Sequence, residues 1–453
     1  MAVNKKKAYE IDMTNGPVML PLIRFAMPLM LSGILQLMFN AADVIVVGRF
    51  AGDEALAAVG STGSLTSLIV NLFMGLSIGA NVVAARFYGA QDFRGMSQTV
   101  HTSMLLSLIF GVLLTIVGVI FAPTFLEWMG SPDDVIGLAS IYLRIYFCGM
   151  LATMFYNFGA AILRSVGDTK RPLMYLTLAG VVNVVLNLIF VIVLRMSVAG
   201  VALATIISQF ISAALVVICL IRTDGAIHFD IKKMRIHKEV LMNIVRVGLP
   251  AGLQSTMFAI ANVVIQSAIN AFGSVAVAAN SAASNLDGFV YTSMNSISQA
   301  TTSFTSQNFG AKKYDRIWII FRVSMIVVSI VGLVLGIGVW AAGGTLLKMY
   351  TDSADVIAAG MVRLTWMCAP YVLCGIMEII VGALRGIGYS VGPMIVSVFG
   401  ACVFRLFWIL VICKLPALST TAGIYMSYPV SWVITEAAQF AIFVYGMKKI
   451  RRV

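Results

Sequence analysis

Apolar stretches of membrane-spanning length follow one another along almost the whole chain. A helix needs about 20 mostly apolar residues to cross the hydrocarbon core of a bilayer. Such stretches lie at 20–47, 55–82, 98–121, 135–160, 172–194, 198–221, 243–270, 276–304, 317–341, 356–384, 392–413 and 422–446. The stretch at 172–194 contains no charged residue at all. The pattern predicts an all-α membrane protein with twelve transmembrane helices.

Composition excludes a soluble protein. The chain has 453 residues, of which 60% are hydrophobic and 11% are charged, whereas soluble domains are about 25% charged. Its net charge of +12 would suggest a nucleic-acid partner in a soluble protein. Here most Lys and Arg residues, including Lys5, Lys6 and Lys7, fall on one predicted side of the membrane. The positive-inside rule therefore places both termini in the cytoplasm, and it favours anionic lipids over nucleic acid as partners.

The two halves of the sequence repeat each other. The string Leu-Arg-Ser-Val-Gly at 163–167 recurs as Leu-Arg-Gly-Ile-Gly at 384–388, and a proline follows each string in the same register, at Pro172 and Pro393. Because a six-helix unit has an even number of crossings, both copies enter from the same side. We expect two six-helix lobes related by a pseudo-two-fold axis along the membrane normal. The predicted boundaries are an N-terminal lobe at 1–222, a cytoplasmic linker at 223–242 and a C-terminal lobe at 243–453.

One carboxylate, Asp43, lies inside the first apolar stretch. A charge at that depth costs roughly 2.5–3.5 kcal/mol, so a functional role is expected for it. Gln36 and Asn40 share its helix face. Asn183 and Asn187 are one turn apart in the fifth stretch, which also places them on one face. A structural ion pair with Arg144 or Arg405 is the alternative role for Asp43.

Further polar residues in the spans are candidates for lining a substrate cavity. In a membrane helix such residues either line a cavity or form hydrogen bonds between helices, and the sequence leaves both open. Arg405 is also a candidate counter-ion for the intramembrane acids. The candidates are Gln36, Asn40, Asn157, Asn262, Gln266, Asp287, Glu378 and Arg405, with Glu436 as a further intramembrane acid.

Several other chemistries are not indicated. The six cysteines all fall inside predicted spans without a CxxC spacing, which predicts neither disulfides nor zinc. The string at 75–79 matches the G-x-S-x-G pattern of hydrolases, but inside a membrane helix it is better explained by close helix packing. No GxxxxGK[ST] string supports direct use of ATP. The chain is predicted to be no enzyme and to need no cofactor or resident metal.

Taken together, these features resemble the bacterial branch of the multidrug and toxic compound extrusion family. The resemblance rests on the duplicated halves, Asn40 and Asp43 in the first span, the two Leu-Arg-x-x-Gly strings, and Asn183 and Asn187 followed by a string that ends at Thr205. It implies a monomeric secondary antiporter of the bacterial inner membrane. Such a protein exports small organic, often cationic, compounds by alternating access in exchange for protons or sodium ions.

The resemblance also implies a cation site in the N-terminal half. Carried over by position, its residues are Asp43, Asn183, Asn187 and Thr205. The family pattern has an acid where this chain has Asn187, so the coupling ion is left open between H⁺ and Na⁺, with Na⁺ at Asp43 as one option. A flippase for a lipid-linked saccharide and a channel-type pore are the alternative functions.

Overall fold

The computed structural model describes residues 9–129 and 133–451, so the basic start at Lys5 to Lys7 lies outside the described residues. The described chain is built from α-helices. Their bounds are α1 Met19–Phe50, α2 Asp53–Gly89, α3 Phe93–Trp128, α4 Asp133–Cys148, α5 Met150–Ser165, α6 Lys170–Asn187, α7 Ser197–Arg222, α8 Lys238–Asn270, α9 Ser274–Gly310, α10 Tyr314–Leu347, α11 Ala354–Met367, α12 Tyr371–Gly386, α13 Val391–Ser397, α14 Phe404–Leu410 and α15 Thr421–Ile450.

These helices account for the twelve predicted stretches. By length and composition, nine helical segments in the described part can each cross a membrane, and the pairs α4 with α5 and α11 with α12 raise the number to eleven if each pair is one span. The predicted stretch at 276–304 corresponds to α9, whose polar residues lower its hydropathy. Most of its Ser, Thr and Asn side chains are buried inside the fold, where hydroxyls bond backbone carbonyls of the preceding turn, as Thr301 does to Ile297.

Two of the spans are bent by 44° at a short break. In the first half the break is at Gly149, between α4 and α5. In the second half it lies at Pro370 and its neighbours, between α11 and α12. Proline lacks a backbone N–H and cannot continue the hydrogen-bond ladder. At Gly149 an added Cβ would approach Ile206 to 2.6 Å, so the absence of a side chain permits the close packing at that bend.

Two six-residue π-helical segments extend or interrupt spans. Leu188–Val193 continues α6, and Val398–Val403 joins α13 to α14. A π turn accommodates one extra residue and changes the direction of the side chains on either side of it, and such turns often occur at functional sites. Asn187 is the last residue before the first π segment, so the wider turn begins at a predicted site residue.

By internal packing, the chain divides into two compact units. Among the described residues, the first unit contains 9–12 and 31–249, and the second contains 13–30 and 250–451. Both α1 and α8 change unit within their length, close to Pro28 and Pro250. The predicted linker at 223–242 packs into the first unit, where Ile227 and Phe229 are buried against α3, α5 and α7. The sequence-based division into 1–222, 223–242 and 243–453 stays a prediction.

The glycines of the 75–79 string lie where α2 packs against the start of α8. A Cβ added at Gly79 would approach the backbone of Gly248 to 2.9 Å, and one added at Gly248 would approach Leu76 Cα to 2.6 Å. The two backbones therefore touch at a point where neither side has a side chain. This is the arrangement expected of a small-residue helix contact, and it favours packing over the hydrolase interpretation.

We expect Gly79→Ala to destabilise the protein by about 1–3 kcal/mol, because the added methyl group must push α8 away. Thermal unfolding of the purified protein measures this effect. Gly60→Ala is the matched control, since Gly60 lies on the same helix and an added Cβ meets nothing within 4 Å. Equal unfolding temperatures for the two variants would contradict the proposed contact.

Two histidines tie the segment between α7 and α8 to α3. The Nδ1–H group of His101 donates to the carbonyl of Ser97 at 2.7 Å, and its Nε2 accepts from the backbone N–H of Asp230 at 3.2 Å. His237 accepts from the Arg235 guanidinium at 3.0 Å through Nε2. Partial burial, followed by the positive charge of Arg235, lowers the pKa of His237 below its usual 6.5. The hydrogen bonds therefore require both rings to be neutral.

The lowered pKa makes this contact sensitive to acid. Below a pH of about 6.5 the unfolded chain binds a proton at His237 that the folded chain resists, so stability falls as the pH falls. We expect the unfolding temperature of the wild type to drop more than that of His237→Gln between about pH 7.5 and about pH 5.5. Parallel curves for the two proteins would show that His237 does not contribute to the loss.

Candidate functional site

The structure brings the four carried-over residues together inside the first unit. Asp43 lies on α1, Asn183 and Asn187 on α6, and Thr205 on α7. The Asn187 amide donates a short hydrogen bond to one carboxylate oxygen of Asp43, and the Thr205 hydroxyl lies 3.4 Å from the other. Asn183 closes the ring, at 3.4 Å from both Thr205 and Asn187. Three helices thus contribute to one polar cluster around Asp43.

No cation neutralises Asp43 among the described residues. Its hydrogen-bond partners are Asn187 and Thr205. Arg144 is exposed, and Arg405 belongs to the second unit, where it bonds Ser431. The alternative role of Asp43 as half of a structural ion pair with either arginine is therefore wrong. A carboxylate without a counter-ion at membrane depth is suited to binding an ion or a proton.

The cluster also offers oxygen atoms to an incoming cation. The side-chain oxygen of Asn187 is buried and has no hydrogen-bond partner, although buried polar atoms are nearly always bonded. With the Asp43 carboxylate, the Asn183 carbonyl oxygen and the Thr205 hydroxyl, it makes a set of hard oxygen donors of the kind that alkali and alkaline-earth ions prefer. No group of three His, Cys, Asp or Glu residues that could hold a metal ion occurs in the described ranges.

Two tyrosines on α4 lie near Asp43 and are not among the residues predicted from the sequence. The rings of Tyr142 and Tyr146 stack with their centroids 6.1 Å apart. Both side chains are half-buried and pack against the apolar core of the first unit. Their spacing of four residues, which puts two hydroxyls on one face of a span, is the signal that could have identified them.

In the second unit, Asp287 forms a buried ion pair. Its carboxylate lies 2.6 Å from the guanidinium of Arg363, and both side chains are 9% exposed. Arg363 also donates a short hydrogen bond to Asn280, which the Tyr425 hydroxyl contacts at 2.9 Å. Gln266 accepts from Asn280 at 2.6 Å. Asp287 and Gln266 therefore belong to one interhelical network, so Asp287 offers no free charge to a substrate.

Glu378 and Arg405, also in the second unit, have separate surroundings. Glu378 is buried on α12, and Arg385 lies seven residues later on the same helix face, where it donates to Gln254 at 2.9 Å. Arg405 donates to Ser431 at 2.8 Å and lies over the Tyr428 ring at 4.1 Å. The alternative role of Arg405 as a counter-ion of Glu378 is therefore wrong, because aromatic rings and a hydroxyl satisfy its guanidinium instead.

The remaining candidates do not join these clusters. Gln36, Asn40 and Asn262 are exposed. Asn157 donates to the carbonyl of Thr153 one turn before it, at 2.8 Å. One carboxylate oxygen of Glu436 is buried without a partner. The role of this set in a substrate cavity stays a prediction.

Both halves of the chain match one protein family. The model of the MatE family matches residues 28–189 and again 250–410, which together make up most of the chain and correspond to its two halves. The chain belongs to the MatE family. MatE proteins are membrane transporters, so this MatE chain is a multi-pass membrane transporter.

Curated relatives of this MatE protein match it over most of their length. The probable multidrug resistance protein YpnP of Bacillus subtilis is 28% identical over 98% of both chains. The multidrug export protein MepA of Staphylococcus aureus is 20% identical over 87% of this chain and 88% of its own. The FAD transporter of Shewanella oneidensis is 26% identical over 67% of this chain and 68% of its own.

Solved structures share the fold. An outward-facing multidrug resistance MATE family transporter of the MOP superfamily superposes with a TM-score of 0.91, at 24% identity over 99% of this chain and 100% of its own. A MOP superfamily transporter from Pyrococcus furiosus, described as having a binding pocket of reverse polarity, gives a TM-score of 0.90 at 24% identity over 99% of both chains. The predicted fold, with twelve transmembrane helices in two six-helix lobes, is confirmed.

Proposed function

We propose that this MatE protein is a secondary antiporter that exports organic, mainly cationic, compounds in exchange for H⁺ or Na⁺. The observation that carries the proposal is the cluster around Asp43, a carboxylate that has two hydrogen-bond donors and no counter-ion within the described residues. The names of the relatives YpnP and MepA support drug export as the activity. The proposed location is the bacterial plasma membrane, with both termini in the cytoplasm and the protein as a monomer.

In this mechanism Asp43 binds the coupling ion. A proton would neutralise the carboxylate, whereas Na⁺ would be held by Asp43 together with the oxygens of Asn187, Asn183 and Thr205. Either ion changes the charge inside the cluster and so favours one arrangement of the helices that carry it. Substrate favours the other arrangement, and each ligand lowers the affinity for its rival. Coupling requires only this difference, typically about 1–3 kcal/mol between two sites.

The charge of the substrate is the part of this proposal most open to test. Two relatives are named for multidrug transport, while the Shewanella oneidensis relative is named for FAD, which is an anion. A panel of substrates should therefore include the cation ethidium, a second dye that carries a quaternary ammonium group, and the anion FAD. We expect the cations to be transported and FAD to be excluded, because the Asp43 carboxylate has only neutral partners among the described residues and so attracts cations and repels anions.

Transport by purified protein in vesicles tests the function directly. Ethidium export is measured under an imposed proton gradient and, separately, under an imposed sodium gradient. Export driven by one of these gradients supports an antiporter and identifies the ion. Counterflow of labelled substrate distinguishes a carrier from a channel-type pore, which shows none. If neither gradient drives export and a lipid-linked saccharide is translocated instead, the flippase alternative holds.

A further inference from the structure

A polar cavity of about 480 Å³ lies in the first unit, away from Asp43, where the segment between α7 and α8 packs against the start of α3. The first two turns of α3 contribute Arg94, Ser97 and Gln98 to its wall. The segment contributes Lys232, Lys233 and Arg235. Its size lies within the range of pockets that bind small ligands, about 300–1,000 Å³. None of these residues belongs to the proposed ion site.

The cavity is strongly basic. Within the described chain, only one of its four cations has an acidic partner, since Lys233 lies 3.4 Å from Asp230. The backbone N–H of Lys232, followed by the Lys233 ammonium, lowers the pKa of Asp230 below its ordinary range, which keeps it a carboxylate. Arg94 and Lys232 form no ion pair with another described residue, and Arg235 bonds a neutral histidine. Three positive charges thus converge without compensation.

The wall is held in place by hydrogen bonds that do not use these charges. His101 accepts from the backbone of Asp230, and the backbone N–H of His237 donates to Thr102 at 3.2 Å. These bonds hold the backbone of the segment against α3, so the positions from which its cations extend toward the cavity are set. Guanidinium, ammonium, hydroxyl and amide donors around one cavity match the oxygens of a phosphate group.

Apolar side chains beside the basic residues indicate where the phosphate comes from. Phe93 is 48% exposed next to Arg94, and Ile231 is 63% exposed next to Lys232. A cationic cluster flanked by exposed apolar side chains is typical of protein surfaces that bind a lipid headgroup and the start of its acyl chains. The second half of the sequence lacks this arrangement, because Asp315 and Trp318 replace Arg94 and Ser97 in the repeat register.

We infer that this cavity binds a phosphate monoester or diester, and that an anionic phospholipid is its source. The inference rests on the way the fold brings two elements together. Arg94 and Ser97 on α3 line the same cavity as Lys232 and Arg235 on the segment between α7 and α8. Binding there joins the linker segment to the membrane surface on the side that the charge distribution predicts to be cytoplasmic. None of its lining residues belongs to the cluster around Asp43.

The test uses the full-length protein in neutral detergent and a fluorescent phosphatidylglycerol as the probe. Unlabelled phosphatidylglycerol, phosphatidylcholine and glycerol phosphate then compete for the site. R94Q/K232Q removes two exposed charges from the cavity, and K448Q/K449Q removes two exposed charges at the end of α15 as the matched control. At about 1 kcal/mol for each cation near the headgroup, we expect R94Q/K232Q to weaken binding about 30-fold and the control to change it less than about threefold.

Ser97→Trp provides a second variant that leaves the charge unchanged. It introduces the residue found at the equivalent position of the second half and fills the cavity, so it should also abolish binding while the unfolding temperature stays near that of the wild type. Displacement by phosphatidylglycerol alone identifies a lipid source, and equal displacement by glycerol phosphate identifies a soluble one. Equal losses in the two double variants, or undiminished binding by Ser97→Trp, would overturn the inference.

Discussion

Asp43→Asn is expected to reduce ion-driven export of ethidium by about 5- to 150-fold, the range that corresponds to losing a typical coupling free energy. The amide is nearly isosteric with the carboxylate but neither takes up a proton nor carries a charge for Na⁺. Its partners Asn187 and Thr205 can still bond it, so the fold should persist. Ethidium transport is measured in vesicles under the ion gradient that drives transport by the wild type, and the vesicles of both proteins contain equal amounts of transporter.

An exchange variant separates the charge of Asp43 from its position. D43N/N187D places the carboxylate at the other end of the same hydrogen bond and keeps the net charge of the cluster. We expect it to recover part of the export lost in Asp43→Asn, because the charge remains among the same oxygens. If Asp43→Asn exports at the wild-type rate under the same gradient, Asp43 does not couple transport to the ion.

Arg363→Met is expected to cost about 3–5 kcal/mol of stability, because it leaves the Asp287 carboxylate buried without its partner. The pair is inaccessible and joins α9 to α11, and the same guanidinium holds Asn280. A loss of this size should appear as a markedly lower unfolding temperature and a reduced yield of folded protein. Thermal unfolding in detergent measures it.

Two further variants control this measurement. D287N/R363M removes both charges and should recover at least half of the loss, since no ion is then left unpaired. Arg451→Met breaks the ion pair with Asp315, whose side chains are 50% and 90% exposed, and it should cost less than about 1 kcal/mol. A double variant that is as unstable as Arg363→Met would show that the ion pair is not the source of the stability.

The fold could be predicted from the sequence because a bilayer restricts the length and the composition of each segment that crosses it. Each span must be long and apolar, and the repeat at 163–167 and 384–388 shows that one six-helix unit occurs twice. The details that the pattern missed are local. Apolar periodicity does not reveal the π segment after Asn187, nor the 44° bend at Gly149, because both depend on packing against neighbouring helices.

The candidate site was partly predictable for a similar reason. The spacing of Asn183 and Asn187 is enough to predict that they share a helix face. Their neighbours on other helices could be predicted only from the resemblance to a known family. Partners across helices could not be read at all. No spacing along the chain pairs Arg363 with Asp287, which it neutralises from another helix. Arg405, a candidate counter-ion for the intramembrane acids, instead donates to Ser431.

The two bent spans show that one backbone geometry can be produced by two different kinds of residue. Gly149 and Pro370 occupy equivalent positions of the two copies, and each lies at a break of the same 44°. One copy makes the break with a residue that lacks a side chain, the other with a residue that lacks an N–H. When the two halves are aligned with each other, Asn40 corresponds to Asn262, whereas Asp43 corresponds to Ile265. The two copies thus share the same bend although different residues produce it, and the first copy alone has an acid at this position of its opening helix.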